Sequence, residues 1–197
     1  GVRGVGVADL EGGGVNVVGL DLSLTATGVA TAAGAEVLRT RLRGCERLAW
    51  LRAAVMYRCG WEYSSIGARA RVPVPAPDLV VIEGYSYASK NSHAHSTGEL
   101  GGVIRLALHE AGVPVAVVPP SSLKKYATGK GNAGKGLVLV EAVKRLGYQG
   151  SDDNEADALW LRQMALDNYL GSGVVPAAHA TALAKVEWPD LTTAAAA

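Results

Sequence analysis

Two kinds of hydrophobic run alternate along this chain. Short apolar runs rich in β-branched residues and bounded by turn residues read as buried strands. Apolar positions recurring every three and four residues read as helices with one buried face. The first strand-like run is Val15-Asn16-Val17-Val18-Gly19-Leu20, which ends on Asp21 and is followed by a turn holding Ser23, Thr25, Thr27 and Gly28. Strands are expected next at 28–33 and 36–43, around a turn at Gly34. Such short connections make the first three strands an antiparallel meander. Leu48, Leu51, Val55 and Cys59 predict a helix over 46–63, and the Arg- and Pro-rich stretch 67–77 reads as a loop. A second buried run, Leu79-Val80-Val81-Ile82, also ends on a carboxylate, Glu83. A polar loop over 84–96 leads to a helix over 97–111, striped by Leu100, Val103, Ile104, Ala107 and Leu108. A fifth strand, 115–118, is closed by Pro119-Pro120. A short helix over 121–126 follows, with Ser121 or Ser122 as its N-cap. A Gly-rich basic loop over 128–134 then leads into a helix over 135–146, ended by Gly147. The last helix, 153–169, is capped by Ser151 or Asp152, and Asp152 with Glu155 has capping-box spacing.

This order gives an α/β or α+β domain, of which we take α/β: a five-stranded mixed sheet with helices on both faces. The crossovers from 43 to 79 and from 83 to 115 are long enough for right-handed parallel connections. The domain is expected to span 15–170, after a Gly-rich flexible segment over 1–14 and before a loosely held tail over 171–197. At 197 residues and 49% hydrophobic, the chain can bury a normal core and is not a disordered sequence. No apolar run approaches the ~20 residues of a membrane span, and no basic region followed by an apolar run marks a secretory signal. Cys45 and Cys59 lack metal-type spacing and read as reduced thiols of a cytoplasmic protein.

Net charge is only +1, but its distribution is uneven. Lys124, Lys125, Lys130, Lys135, Lys144 and Arg145 face Glu141 alone between 121 and 145. Such a stripe suits a polyanion; it equally suits a solvated helix face with an exposed loop. The acidic side chains sharpen the choice. Asp21 and Glu83 both stand at the C-terminal ends of buried strands, where ligand sites of α/β sheets lie. The last helix adds Asp152, Asp153, Glu155 and Asp157 in its first turns, and Asp153 and Asp157 share the face of Trp160 and Met164. Singly, each acid has a structural role available: a turn bond for Asp21, solvation for Glu83, the helix dipole for the last group. Together, converging carboxylates repel one another and raise one another's pKa unless cations intervene. Oxygen donors without His or Cys suit Mg²⁺ or Mn²⁺. Two such ions can activate a water and stabilise the leaving oxygen of a phosphodiester, while lysines hold the flanking backbone. His93 and His95 fall in the loop after Glu83, where solvated histidines are the plainer reading.

The segments Asp21-Leu22-Ser23-Leu24-Thr25-Ala26-Thr27-Gly28, Val81-Ile82-Glu83 and Glu155-Ala156-Asp157-Ala158-Leu159 resemble, in order and spacing, those of RuvC-type Holliday junction resolvases. Lys124 and Gly129-Lys130-Gly131-Asn132-Ala133-Gly134-Lys135 resemble that family's DNA-contacting lysines and loop, and the match covers 15–166. The resemblance implies an RNase H-like nuclease domain over 15–170, acting as a homodimer that cuts branched DNA (four-way junctions, forks and flaps) with two Mg²⁺ or Mn²⁺ ions. Asp21, Glu83 and Asp157 match the family's catalytic and metal-binding carboxylates. Its fourth acid falls here on Asn154, so the fourth ligand is Asp153, one residue earlier, or the amide oxygen of Asn154. Lys124 and Lys135 match the family's basic positions, and Lys125 and Lys130 extend the expected DNA surface. Where some members place a junction-stacking aromatic there is Ser86, flanked by Tyr85 and Tyr87, either of which can stack on a base. The helix over 97–111, with Gly98, Gly101 and Gly102, is a candidate dimer surface. The Gly- and Ala-rich composition points to a phage or a GC-rich bacterial source.

Two other functions remain in play. The motif Asp21-x-Ser23-x-Thr25-x-Thr27-Gly28 also resembles the first phosphate loop of sugar kinases and related ATPases, but no second loop or adenosine motif accompanies it. Asn154, in place of an acid, raises the alternative of a junction-binding scaffold without catalysis.

Overall fold

The computed structural model describes residues 14–63, 69–84 and 93–191, without the side chains of 63, 69 and 93–97. In chain order the elements are β1 (Val17–Asp21), β2 (Thr27–Thr31), β3 (Gly34–Leu38), α1 (Gly44–Arg58), β4 (Trp61–Tyr63), β5 (Arg69–Arg71), β6 (Leu79–Glu83) and α2 (His93–Glu110). β7 (Val115–Val118), α3 (Pro120–Thr128), α4 (Lys135–Leu146), α5 (Asp153–Leu170), α6 (Ala177–Ala180) and a 3₁₀ turn (Leu183–Lys185) complete the chain.

The main sheet has the order β3-β2-β1-β6-β7. β1 is buried along its whole length, as expected of an apolar, β-branched run covered on both faces. It pairs antiparallel with β2 and parallel with β6, and β6 pairs parallel with β7. Alternate side chains therefore feed two cores. Val17, Leu79, Val81, Ala116 and Val118 pack with Tyr126, Trp160 and Met164 beneath α3, α4 and α5. Val18, Leu20, Val80 and Ile82 pack with Leu51, Val55, Leu100 and Ile104 beneath α1 and α2. The first core is pinned by Trp160, whose Nε1 donates to the Val138 carbonyl at 3.1 Å and whose ring meets Tyr126 edge-on at 5.8 Å.

The expected five-stranded mixed sheet with helices on both faces is present, and several boundaries differ for local reasons. The 46–63 helix stops at Arg58, because Gly60 takes φ 82°, which an α-helix cannot continue. The chain instead enters a two-stranded hairpin, β4–β5, inside the stretch expected as loop. Arg71 stacks over the Trp61 ring at 4.7 Å there. β3 ends at Leu38 rather than 43, where Arg39 turns away to pair with Asp152. α3 has Pro119 at its N-cap and Pro120 within its first turn, so neither Ser121 nor Ser122 caps it. The cap of α5 is Asp152, but Glu155 does not complete the box: Glu155 accepts from the Tyr148 hydroxyl at 2.6 Å, and that hydroxyl accepts the Asp152 N–H at 3.1 Å. The segment expected as a loose tail buries Val175, Ala182 and Val186 in the first core, and Trp188 meets Tyr169 edge-on at 6.0 Å.

Candidate active site

β1 and β6 run parallel with Leu20 opposite Ile82, so Asp21 and Glu83 leave the sheet at the same edge. Strand alternation places both on the face of Val17 and Val81, the face that α5 covers. Two glycines set how closely α5 can lie. A Cβ at Gly19 would overlap the Ala158 carbonyl oxygen, and one at Gly28 the Asn154 carbonyl oxygen. The helix backbone thus rests directly on β1 and β2. Asp157, between those two contact points in sequence, is carried to the sheet edge that holds Asp21. Asp21 and Asp157 are each only 9% exposed, and Glu83 is half-buried.

The turn after β1 is closed by its own hydroxyls. The Ser23 N–H donates to Thr27 Oγ1 at 3.1 Å, Thr27 Oγ1 donates to the Ser23 carbonyl at 2.6 Å, and Ser23 Oγ lies 3.1 Å from Thr25 Oγ1. These groups shape the turn that aims Asp21.

Electrostatics couple the three acids. Burial, then the charges of Glu83 and Asp157, push the Asp21 carboxyl up to about 8. Burial, then Asp157, push Glu83 up to about 7. Asp157 is raised to about 6, chiefly by burial, with the charge of Asp153 adding to it. None of the three accepts a hydrogen bond from a described side chain. Among the described residues no group of three or more His, Cys, Asp or Glu already forms a ready-made metal cluster. The donor set nevertheless fits a hard divalent cation: two buried carboxylates and one half-buried one, from three elements, with oxygen as the only ligand type.

The lysines divide into two pairs. Lys124 on α3 offsets the charge on Glu83 and Asp157. Lys135, the first residue of α4, acts on all three acids and donates to Asp153 Oδ2 at 2.6 Å. Burial pulls the Lys135 ammonium down, but its bond to Asp153 and the nearby Asp157 and Asp21 hold it above the usual lysine range. Lys125, half-buried on α3, and Lys130, exposed in the loop, are not among the charges acting on these acids. The two candidates for the fourth position also separate. Asn154 donates through Nδ2 and its backbone N–H to Asp152 Oδ1, both at 2.9 Å, within the helix cap. Asp153 acts electrostatically on both Asp21 and Asp157. Tyr85 and Tyr87 lie outside the described residues, as do the His93 and His95 side chains.

Sequence spacing did not show what fixes the N-terminus of α5. Arg39 Nη2 reaches Asp152 Oδ2 at 2.5 Å across 113 residues, and the Tyr148 hydroxyl grips Asp152 and Glu155. Only the sheet order, which places the end of β3 at the edge where α5 begins, brings Arg39 there.

The folded protein holds protons on the carboxyls of Asp21, Glu83 and Asp157 that the unfolded chain has released, so metal-free stability falls as pH rises through the window up to about 8. Melting of the metal-free protein is expected to move to lower temperature between about pH 5 and about pH 8, and a divalent cation should reverse this at the upper end. A cation that leaves the high-pH melting temperature unchanged would contradict this coupling.

No family model matches the chain. Among curated proteins it is similar to the crossover junction endodeoxyribonuclease RuvC of Sorangium cellulosum, 37% identical over 86 residues, or 43% of this chain and 48% of that protein. It is 33% identical over 97 residues to RuvC of Nocardioides, 48% of this chain and 55% of the relative. It is 31% identical over 117 residues to RuvC of Brevibacillus brevis, covering 50% of this chain and 70% of the relative. The chain thus spans about half the length of the first two relatives. Among solved structures, Thermus thermophilus RuvC superposes with a TM-score of 0.60 at 24% identity, covering 80% of this chain and 98% of that one. The same protein in complex with a Holliday junction substrate gives 0.58. These two likenesses carry the fold, an RNase H-like α/β sheet.

Proposed function

The chain belongs to the RuvC family of crossover junction endodeoxyribonucleases, and on that premise we propose that it resolves four-way DNA junctions by phosphodiester hydrolysis. The observation that carries this is the meeting of Asp21, Glu83 and Asp157 from β1, β6 and α5, with Lys124 and Lys135 beside them. The three carboxylates would hold Mg²⁺ or Mn²⁺, and Asp153, whose charge acts on Asp21 and Asp157, is the better fourth ligand than Asn154. Bound there, such ions supply an activated water and charge stabilisation for the leaving oxygen. The protein's own part is to hold these acids apart from bulk water, on rigid elements, at one sheet edge. Lys124 and Lys135 place positive charge where a scissile phosphate would lie, and Lys125 and Lys130 continue that charge outward along α3 and its loop. Tyr85 and Tyr87, which follow Glu83 in the sequence, would stack on an opened base. Forks and flaps would present a similar branch to the same groups.

Two cuts per junction need two sites, so the active form is a homodimer. On α2, Gly98 and Gly102 face open space and Leu106 is 58% exposed, an outward stripe of spacing four suited to close helix approach. No helix among the described residues is long and apolar enough to cross a membrane. The test is Mg²⁺-dependent cleavage of a labelled four-way junction beside duplex, fork, flap and RNA–DNA hybrid substrates. Paired, symmetric nicks in the junction are expected; preference for the hybrid or for plain duplex would overturn the assignment.

A further inference from the structure

A second group of cations stands beyond the end of β3, at the opposite end of the sheet order from β7, which Lys124 follows on α3; Lys135 reaches Asp153, beside the Asp152 that Arg39 holds. β3 runs parallel to β1, and pairing of Thr27 with Leu38 and of Gly28 with Asp21 puts the end of β3 one residue beyond the level of Asp21. Beyond it the chain reads Arg39-Thr40-Arg41-Leu42-Arg43, with no acid before Glu46. This loop is held in shape. Arg39 is bound to Asp152 at the start of α5, the Leu42 N–H donates to Thr40 Oγ1 at 3.2 Å, and Arg47 Nε donates to the Leu42 carbonyl at 2.6 Å. Arg41 and Arg43 are left exposed, and among the described residues neither side chain has an ion pair or hydrogen bond.

We propose that Arg41 and Arg43 form a second phosphate-binding surface, which holds the DNA strand on the β3 side of the acidic site while the lysines hold it on the other. This rests on the function proposed above. The placement supports it in three ways. Two strand spacings separate β3 from β1, about 10 Å. One strand of a duplex carries a phosphate about every 3.4 Å along its axis, so a loop just beyond β3 lies within a few nucleotides of backbone from the acids. With Lys124 beyond β7, at the opposite end of the sheet order from β3, the arginines give a strand that crosses the site a cation on the β3 side as well. Arg39 ties the loop to α5, the helix that carries Asp157, so the loop keeps its place relative to the site.

Junction binding by the Asp21→Asn protein, measured against salt concentration, tests this. In that background Arg41→Ala/Arg43→Ala should reduce the slope of log K against log salt by about 1.8, since each lost phosphate contact removes about 0.9. Binding near 0.1 M salt should weaken roughly 10- to 60-fold. Arg41→Lys/Arg43→Lys should restore the slope, because a phosphate contact needs only the charge. The melting temperatures should match the parent, as both side chains are exposed. An unchanged slope and affinity in the alanine variant overturns the surface and leaves the function standing; so does weaker binding with the slope intact. A parent that binds no junction overturns both.

Discussion

Asp21→Asn should cut four-way junctions at least about 1,000-fold more slowly than the parent while binding them as tightly or more tightly. Burial raises the Asp21 carboxyl most, and the charges of Glu83 and Asp157 both raise it further. Removing its charge takes away the central oxygen donor of the group. Charge stabilisation of the transition state worth several kcal/mol is lost with the cation, and each 1.36 kcal/mol is a factor of ten in rate. The amide has nearly the same shape, so the fold is kept. It also removes one negative charge from the site proposed to meet phosphate, so DNA affinity should not fall. Glu83→Gln and Asp157→Asn should behave alike. Single-turnover cleavage and filter binding on the same junction separate the two effects. An Asp21→Asn protein that cuts at the parental rate would remove Asp21 from the site.

Gly28→Ala should disrupt the site from beneath. The added Cβ runs into the Asn154 carbonyl, which is backbone and cannot rotate away, so the first turn of α5 must lift. Overpacking of this kind costs about 1–3 kcal/mol. For a chain of this size each kcal/mol is about 2–4 °C in Tm. Because Asp157 follows Asn154 on the same helix, junction cutting should fall along with Tm. Gly19→Ala, against the Ala158 carbonyl, should do the same. Gly136→Ala, where a Cβ meets open space, is the control and should leave both unchanged or raise stability slightly. Thermal melts of the three variants check this, and a Gly28→Ala protein as stable as the Gly136→Ala protein would show that α5 does not rest on the strand.

The acids were visible in the sequence because the burial of a strand is local. Val17 to Leu20 and Leu79 to Ile82 are unbroken apolar runs, and a carboxylate ending each one stands out whatever the rest of the chain does. Asp157 was visible because Trp160 and Met164 mark the buried face of its helix, and all three are buried. Gly19 and Gly28 were legible only in part: a glycine in a strand signals close approach, but not by which element. Arg39 reaching Asp152 could not be read at all, since no spacing rule links residues 113 apart. The same is true of the hairpin β4–β5, whose strands of three residues are too short to show a period. The segment after Gly171 misled for a related reason. Val175, Ala182, Val186 and Trp188 are single anchors scattered among Gly, Pro and Ala, and only the surface left open by α3 and α5 gives them somewhere to bind. Within the site, local pattern left Asp153 and Asn154 equal; the cap at Asp152 engages the Asn154 amide nitrogen and Lys135 engages Asp153, neither of which a spacing rule could show.

Calorimetric titration of the protein with Mn²⁺ in the absence of DNA distinguishes a divalent cation held jointly by Asp21, Glu83 and Asp157 from three acids that merely share a sheet edge. The parent should bind the cation, and Asp21→Asn, Glu83→Gln and Asp157→Asn should each weaken binding by at least about tenfold. Binding of Mn²⁺ that is equal in the parent and in all three variants would contradict the joint site.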